Sequence, residues 1–348
     1  MKVTIKDIAK RCNVSAMTVS NIINNRSNVS ETTRQKVLEA IKEMDYKPNF
    51  IAQNLKAKST RIIGVIVEDI TIFHTPSIID GITQYCEQNN YQMLLYNLRL
   101  VQRFKHAYYN STDYHEEIHN EFNEFISSQV EGIIYVSGYE RELDFFPDYI
   151  PVPLVVVYAK SLCPSIPSVV MDDFQGGQSI VEHIINLGHT KIGMISGLTS
   201  NPHARERLRG YLAAIRKHNL PYDEELIVEG DWEYESGYKL TDQLLAKEVT
   251  CIFCHNDFMA VGVYKRLNEL NLEIGKDISV VGFDNRENLE FFEPRLTTVA
   301  LPLYEVGYQA GELMVQAIAD HKVKHDGQHI YAMPCVIQEG ASLFPPKQ

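Results

Sequence analysis

The residues HEEIH, at positions 115–119, have the spacing of a zinc site. In the HExxH pattern, two histidines four residues apart share one face of a helix and bind zinc, while the glutamate between them acts as a general base. Such a site also needs a third protein ligand. The pattern therefore raises a metalloprotease as a first hypothesis, and the surrounding residues decide whether that hypothesis holds.

A helix that lies on a core explains the same residues without chemistry. Asp113 is expected to cap this helix, and Glu116 and Glu117 suit the positive end of its first turn. The apolar residues of the stretch recur at helical spacing: Ile118, Phe122, Phe125 and Ile126. A short pattern with three fixed positions also matches easily by chance. We therefore interpret HEEIH as part of a structural helix, and we expect no metal and no cofactor.

The CIFC stretch at 251–254 is a second candidate for redox or metal chemistry. It lies in a short apolar run that predicts a β-strand, where residues three apart point to opposite faces. Cys251 and Cys254 are therefore expected to be separate core thiols of a reducing compartment.

Charge is unevenly distributed along the 348 residues. Residues 1–60 contain eleven Lys and Arg against five Asp and Glu, whereas the rest of the chain contains 22 against 40. A basic head on an acidic body is typical of a nucleic-acid-binding arm fused to another domain. No apolar run could span a membrane and the first residues have no apolar signal core, so we expect a cytoplasmic protein without a membrane partner.

The first 46 residues predict three short helices. Thr4, Ser15 and Ser30 are each placed to cap a helix, and Asn13-Val14 makes a tight turn between the first two. The third helix carries Val37, Leu38, Ile41 and Met44 as its apolar residues. This arrangement is a helix-turn-helix, whose second helix reads base edges in the major groove.

The motifs VSAMTVSNIINN, VSETTRQKVLEAIKEMDYKPN and AQNLK resemble the headpiece and hinge of the lactose-repressor/galactose-repressor family of bacterial transcription regulators. The resemblance implies that Ala16, Met17 and Asn21 read bases. It also implies a set of residues that contact phosphates or pack the reading helix: Thr4, Ser15, Ser20, Asn24, Ser30, Thr33 and Tyr46. Phosphate contacts set the register, and base contacts choose the sequence.

Asn21 departs from the family pattern, in which arginine is common. Arginine suits guanine, whereas asparagine can pair with adenine through two hydrogen bonds, and Ala16 and Met17 offer apolar contact suited to thymine methyl groups. The hypothesis is a half-site read through adenine by Asn21. The alternative is that Asn21 contacts only phosphate.

Residues 47–60 are expected to form a hinge helix and linker, with Pro48 in the first turn. The resemblance implies that Leu55 enters the minor groove, beside Asn49 and Ala52. An apolar wedge of this kind kinks the duplex. The alternative is a linker leucine with no role on DNA.

From residue 61 onward, apolar runs such as IIGVIV, PLVVVYA and ISVVGFDN alternate with amphipathic helices. This alternation predicts two parallel α/β sheets. The resemblance implies a core like that of periplasmic sugar-binding proteins, with 61–348 forming the effector-binding and dimerisation domain. Its N-subdomain is expected at about 62–160 and 292–325, and its C-subdomain at about 161–291 and 326–348.

Ligands of such sheets lie beyond the carboxyl ends of the strands. The residues that follow the predicted strands and match effector positions of the family are Phe73, Thr75, Pro76, Tyr158, Arg207, Trp232, Asn256 and Asp284. Thr75 is also expected to cap a helix, as is Asp257. Arginine, amide and carboxylate groups around an indole suit a polyhydroxylated ring, although a purine would also stack on Trp232.

The expected protein is a homodimeric, non-enzymatic repressor of a carbohydrate-utilisation operon. A sugar or sugar derivative would control its affinity for pseudo-palindromic operator DNA. The alternatives are control by a protein corepressor or by another metabolite such as a purine. Segment 99–117 is unusually long and aromatic, and it either narrows the cleft or contacts a partner.

Overall fold

The structure is a computed structural model that describes residues 3–23, 29–46, 59–105, 108, 112–147, 149–286, 292–320 and 329–347. It divides into two compact units, Met1–Arg61 and Ile62–Gln348. The predicted hinge helix, with Asn49, Ala52 and Leu55, lies outside the described residues, and so does Asn24.

The first unit contains three helices, which are α1 (Ile5–Cys12), α2 (Ala16–Ile23) and α3 (Glu31–Glu43). The Asp7 carboxylate accepts hydrogen bonds from the Thr4 backbone N–H at 2.9 Å and hydroxyl at 2.6 Å. The Ser15 hydroxyl accepts from the Thr18 N–H at 3.0 Å, and Ser30 caps α3 in the same way. These polar side chains satisfy amide groups that the first turn of a helix leaves without partners.

A small core holds these three helices together. Its buried members are Ile8, Ala9, Cys12, Val19, Ile22, Val37 and Ala40. Leu38 was expected among them, but 46% of its surface is exposed. Val37, Ala40, Ile41 and Met44 form the helical stripe that faces the core, and Leu38 lies off that stripe.

The second unit is built on two six-stranded sheets. The first sheet is parallel throughout, in the order β2-β1-β3-β5-β7-β13. Its strands are β1 (Ile62–Val67), β2 (Gln92–Asn97), β3 (Gly132–Val136), β5 (Leu154–Val157), β7 (Ser168–Asp172) and β13 (Ile330–Pro334). The central strands are buried on both faces, which explains their continuous apolar sequences.

The second sheet has the order β9-β8-β10-β11-β12-β14, and only its last pair is antiparallel. Its strands are β8 (Ile192–Ser196), β9 (Ile227–Glu229), β10 (Cys251–Cys254), β11 (Ser279–Asp284), β12 (Thr297–Ala300) and β14 (Val336–Gln338). A separate two-stranded sheet pairs β4 (Glu142–Leu143) with β6 (Lys160–Ser161).

Helices cover both faces of the two sheets. They are α4 (Thr75–Gln88), α5 (Leu100–Phe104), α6 (His115–Ser127), α7 (Asp173–Asn186), α8 (Pro202–Lys217), α9 (Tyr234–Leu245), α10 (Asp257–Glu269) and α11 (Leu303–Asp320), with a 3₁₀ turn at Glu224–Leu226. We call the first sheet with α4, α6 and α11 the first lobe, and the second sheet with α7, α8, α9 and α10 the second lobe. Among the helices described, none is both long enough and apolar enough to cross a membrane.

The chain passes between the lobes after β7, after β12 and after β13. These crossings differ from the expected boundaries near 160, 292 and 326. β7 pairs with β5 and so remains in the first sheet, and β12 pairs with β11 in the second. Hydrogen bonding between strands distant in sequence sets these boundaries, so a pattern of alternating elements does not reveal them.

Three predicted helix caps lie elsewhere. α6 begins at His115 after Tyr114, so Asp113 precedes the cap position. α4 begins at Thr75 itself, after His74. Asn256 rather than Asp257 caps α10, because its side-chain oxygen accepts from the Met259 N–H at 2.9 Å. Each prediction was wrong by one residue, within the usual uncertainty of helix ends.

Candidate functional site

A cavity of about 370 Å³ is lined by the turns that follow β1, β3, β5, β8, β9, β10 and β11. In each parallel sheet the carboxyl ends of the strands lie at one edge, so the turns that follow those strands lie close together. Six of the eight predicted effector residues line it: Phe73, Tyr158, Arg207, Trp232, Asn256 and Asp284.

Thr75 and Pro76 are not brought to this cavity. Thr75 is buried, and its hydroxyl donates a hydrogen bond to the carbonyl oxygen of Asp69 at 3.0 Å. Pro76 lies in the first turn of α4 and lines a neighbouring cavity of about 780 Å³. The hydrogen bond from Thr75 stabilises the turn after β1. Thr75 therefore has a structural role in this turn and does not line the cavity.

Arg207, on α8, is a buried cation compensated by two carboxylates. Its Nε donates to Asp173 Oδ1 at 2.7 Å, and its Nη1 lies 3.4 Å from Asp284 Oδ1. Burial alone would raise the pKa of Asp173, but His203 and Arg207 outweigh burial and hold that pKa below its usual range. At the more weakly paired Asp284, burial dominates and raises the pKa.

Aromatic rings cover the remaining walls. Tyr158 stacks on His74 with ring centroids 3.6 Å apart, and the Arg207 guanidinium lies 5.7 Å from the ring centre of Trp232. The Asn256 amide nitrogen donates to the Trp232 carbonyl at 2.8 Å while its oxygen caps α10. The Asn256 side chain therefore stabilises both the turn that contains Trp232 and the start of α10.

Three cavity residues have left-handed backbone conformations. The φ angle is 62° at Tyr158, 72° at Trp232 and 112° at Asp284. Residues other than glycine adopt such angles at an energetic cost, and these conformations cluster at binding and switch sites. The strain at three turns of one cavity supports its identification as the functional cleft.

His203 joins two buried carboxylates at the side of the cavity. Its Nδ1 lies 2.7 Å from Asp173 Oδ2 and 3.0 Å from Glu140 Oε2. Among the residues that the structure describes, these three form the one group whose ligand atoms are close enough to hold a metal. A protonated imidazole accounts for the geometry, because its Nδ1–H lies between one oxygen of Asp173 and one of Glu140, while Lys160 and Arg207 pair with the other two oxygens.

Several lining residues were not predicted from the sequence: His74, Tyr139, Asn201, His203, Phe258 and Arg286. Arg286 lies between the rings of Phe73 and Phe258, at 4.0 and 4.3 Å from their centres. One signal could have revealed His203, since it lies four residues before Arg207 and so shares its helix face. His74 and Phe258 lie within two positions of the predicted residues Phe73 and Asn256, but nothing in the local pattern indicates that their side chains reach the cavity.

The reading helix α2 presents part of its surface to solvent. Met17 is 69% exposed, Ser20 and Asn21 are half-buried, and Ala16 packs partly against the small core. Tyr46 also packs against that core. The other predicted DNA contacts lie at the starts of the three helices, where backbone N–H groups favour phosphate: Thr4, Ser15, Ser30 and Thr33.

The HEEIH histidines have structural contacts. His119 Nε2 donates to the Phe145 carbonyl at 2.5 Å, and the His115 ring lies 4.4 Å from the Phe145 ring. Ile118 is fully buried on the same helix. The CIFC thiols separate as expected, with Cys251 and Cys254 in two different apolar clusters.

Tyr108 and Tyr114, from the aromatic segment predicted at 99–117, contact residues next to a cavity loop. Tyr108 donates to Glu68 Oε2 at 2.5 Å, and the Tyr114 hydroxyl accepts from Arg141 at 3.1 Å. Glu68, fully buried, also accepts from the N–H of Gly138 at 2.6 Å, and Gly138 lines the cavity. The segment thus helps to position the loop after β3.

Comparisons with known proteins agree with both units. Residues 4–49 match the model of bacterial regulatory proteins of the lacI family, and residues 181–343 match that of the periplasmic binding protein-like domain. The chain is 32% identical over 327 residues to the HTH-type transcriptional repressor PurR of Vibrio vulnificus (strain CMCP6), covering 93% of each chain. It is 33% identical over 322 residues to catabolite control protein A of Priestia megaterium, covering 91% of this chain and 92% of that one.

A solved structure of the lac repressor dimer bound to operator and the anti-inducer ONPF has a TM-score of 0.74 and 26% identity, over 99% of this chain and 100% of that one. The match extends through the helix-turn-helix and both α/β lobes. Members of this non-enzymatic family are DNA-binding repressors with an allosteric effector domain. With relatives above 30% identity over nine-tenths of its length, the chain belongs to the LacI family of bacterial transcription regulators.

Proposed function

We propose that this repressor is a cytoplasmic homodimer that binds pseudo-palindromic operator DNA through Ala16, Met17 and Asn21. The similar lac repressor is described as a dimer bound to operator. Two-fold symmetry places two reading helices on matching half-sites, so the symmetry of the operator follows that of the protein. A bacterial gene regulator acts where the DNA is, and this is the basis for proposing the cytoplasm.

The effector is a neutral molecule. Arg207 lies between Asp173 and Asp284, His203 between Asp173 and Glu140, and Arg286 donates to Asp284 at 3.2 Å. These cations are already compensated, so a phosphate would bring a new charge without a partner in a buried site. A sugar phosphate or nucleotide is therefore disfavoured.

A purine base is the preferred class, and a sugar is the second candidate. Trp232 carries this preference, because a flat heterocycle stacks over its whole face on the indole, whereas a sugar ring presents one apolar face. Similarity to several relatives named PurR points the same way. The expectation of a sugar, made from the sequence, depended on the same aromatic ring and polar groups. Those residue types do not distinguish a sugar from a purine.

Effector control depends on different affinities for two arrangements of the lobes. A ligand that contacts Phe73 and Tyr158 of the first lobe and Trp232 of the second favours one arrangement. Its effect on operator affinity equals the difference in its affinity for the two states, typically about 5- to 150-fold.

The test is titration of the full-length protein with purine bases and with neutral mono- and disaccharides. Trp232 is the one tryptophan in the sequence, so its fluorescence reports binding at the cavity. Operator DNA is first selected from a random pool, and its affinity is then measured with and without each compound. We expect one purine base to quench Trp232 and to change operator affinity at least fivefold.

Trp232→Leu should weaken binding of that base at least tenfold by calorimetry, whereas Tyr222→Leu, an exposed ring elsewhere, should not. If a saccharide binds and alters operator affinity while no purine does, the effector is a sugar and not a purine. If neither class acts, control by a protein partner replaces both.

A further inference from the structure

Two histidines that line the cavity each have a buried ring nitrogen without a hydrogen-bond partner in the described part of the chain. These atoms are His74 Nδ1 and His203 Nε2. The two residues are 1% and 7% exposed. Buried polar atoms without partners are costly, and in binding sites they mark positions that a ligand satisfies.

The other nitrogen of each ring determines what the free nitrogen can do. His74 Nε2 donates to the Ser137 carbonyl at 3.3 Å, so Nδ1 holds a lone pair and accepts. Burial lowers the pKa of His74 to about 3, which keeps the ring neutral. A neutral imidazole with this tautomer has one acceptor, and it is the unpartnered atom.

His203 has the opposite polarity. Its Nδ1 donates to Asp173 and lies 3.0 Å from Glu140 as an ion pair, so its Nε2 carries a hydrogen when the ring is charged. Burial alone would lower the pKa of His203, but the two carboxylates outweigh it and raise the pKa to about 10. The ring is thus an imidazolium with one free donor, and Tyr158, stacked on His74, lies 5.2 Å from it.

His203 also connects the two lobes. Glu140 follows β3 of the first lobe, whereas His203 and Asp173 lie in the first turns of helices of the second. The charged and titratable groups that surround the ring are Glu140, Asp173, Lys160, Arg207, Asp284, His74 and Tyr158. The 3.0 Å contact with Glu140 is therefore an ion pair across the cleft.

We propose that His203 and His74 are a donor and acceptor pair that selects the effector, and that the Glu140 contact of His203 transmits occupancy of the cavity between the lobes. The pair fits a neutral planar ligand that turns a ring nitrogen or carbonyl oxygen towards His203 and an N–H group towards His74. This assignment rests on the proposed function. It adds which ligand atoms accept and which donate hydrogen bonds in the cavity.

One variant at each histidine tests the donor and the acceptor. His203→Asn keeps an amide N–H near the Nδ1 position and removes the Nε2 donor, so the binding constant of the purine should fall at least tenfold. His74→Phe keeps the ring stacked on Tyr158 but removes the acceptor, with the same expected loss. His218→Asn, at the residue that follows the same helix α8, is the matched control and should change binding less than twofold.

Glu140→Gln tests transmission between the lobes. At a purine concentration that saturates the variant, the change that the purine causes in operator affinity should fall at least threefold. Glu142→Gln, an exposed carboxylate two residues away, should leave that change unaltered. Circular dichroism establishes that each variant is folded.

Purine binding unchanged within twofold in both His203→Asn and His74→Phe overturns the selection pair and leaves the proposed function intact. If wild type binds no purine, the proposed function fails instead, and ¹⁵N-histidine NMR of the ligand-free protein then decides the inference. The His203 signals, identified by their loss in His203→Asn, should be those of an imidazolium at pH 8. A neutral ring at that pH overturns it.

Discussion

Asn21 is the residue of the reading helix that departs from the family pattern. It lies half-buried on α2, one position before the buried Ile22, so its side chain is at the border of the helix surface. A carboxamide can pair with adenine, whereas a guanidinium pairs with guanine.

We expect Asn21→Arg to change the selected half-site from adenine to guanine at one position. Each good bidentate pair contributes roughly 1–3 kcal/mol of discrimination, enough to be visible in selection from a random DNA pool. The control is Lys10→Arg, which changes the side chain of an exposed residue on α1 and should leave the base preferences alone. An unchanged base at every position would mean that Asn21 contacts only phosphate.

Glu68 shows how one buried charge can organise a wall of the cleft. Its oxygens accept from the hydroxyls of Tyr108 and Tyr135 at 2.5 Å each, and from Arg141 at 2.5 Å. Burial by itself would raise the pKa of Glu68, but Arg141 and the hydroxyl donors outweigh burial and lower it. A buried charge with this many partners is stabilising only as a complete set.

Glu68→Gln should lower the free energy of unfolding by about 3–5 kcal/mol, because Arg141 is left buried without its counter-charge. Urea denaturation of the variant and of Glu142→Gln measures the difference, and the control should change by less than about 0.5 kcal/mol. Since the pKa of Glu68 is depressed on folding, its contribution is present above pH 4.5 and is lost as pH falls below that value. A variant as stable as wild type at pH 7 contradicts this account.

At the scale of elements, pairs of helices cross at facing glycines. A Cβ added to Gly237 on α9 would lie 2.0 Å from the Met259 carbonyl oxygen, and one added to Gly262 on α10 would lie 2.1 Å from that of Tyr234. The two helices therefore approach backbone to backbone. This close approach sets the position of α10, whose capping residue, Asn256, lines the cavity.

Gly237→Ala should destabilise the effector domain by about 1–3 kcal/mol, because the added methyl group overlaps a backbone oxygen. Helix propensity acts in the opposite direction by about 1 kcal/mol, so any net loss reports the crossing. Lys239→Ala, exposed on the same helix, is the control and should be nearly neutral. Thermal unfolding that shows Gly237→Ala equal to or above wild type would be evidence against a tight crossing.

At the scale of the whole molecule, charge separates the two functions. The first 60 positions are net basic, while the remainder is net acidic and its cavity cations are internally compensated. We therefore expect operator affinity to depend on release of counterions from DNA, and affinity for the proposed neutral effector not to depend on it.

Raising salt from 50 to 200 mM should reduce operator affinity by roughly 10³- to 10⁵-fold if 6–10 phosphates are contacted. Purine affinity over the same range should change less than about twofold, since a neutral ligand releases no counterions. Fluorescence anisotropy of labelled operator and quenching of Trp232 measure the two. Effector affinity that falls as steeply as operator affinity would show that the ligand is charged.

The sequence by itself determined the features that depend on neighbours along the chain. Helix caps at Ser15 and Ser30 and continuous apolar strands are local, because a helix or a buried strand is specified by residues a few positions apart. The positions of strand ends could also be located, but Arg207 and Trp232 were predicted to face the ligand because they also match effector positions of the family that the sequence resembles.

Only the tertiary structure decided which of these residues meet and in what protonation state. The ion pairs of His203 join residues far apart in the sequence: Glu140, Asp173 and His203 are separated by 33 and 30 positions and lie in different parts of the fold. Spacing along the sequence therefore does not indicate these ion pairs. The same applies to the lobe boundaries, which follow from strand pairing. Burial and partner distances, which exist only in the folded chain, make His74 a neutral acceptor and His203 a charged donor.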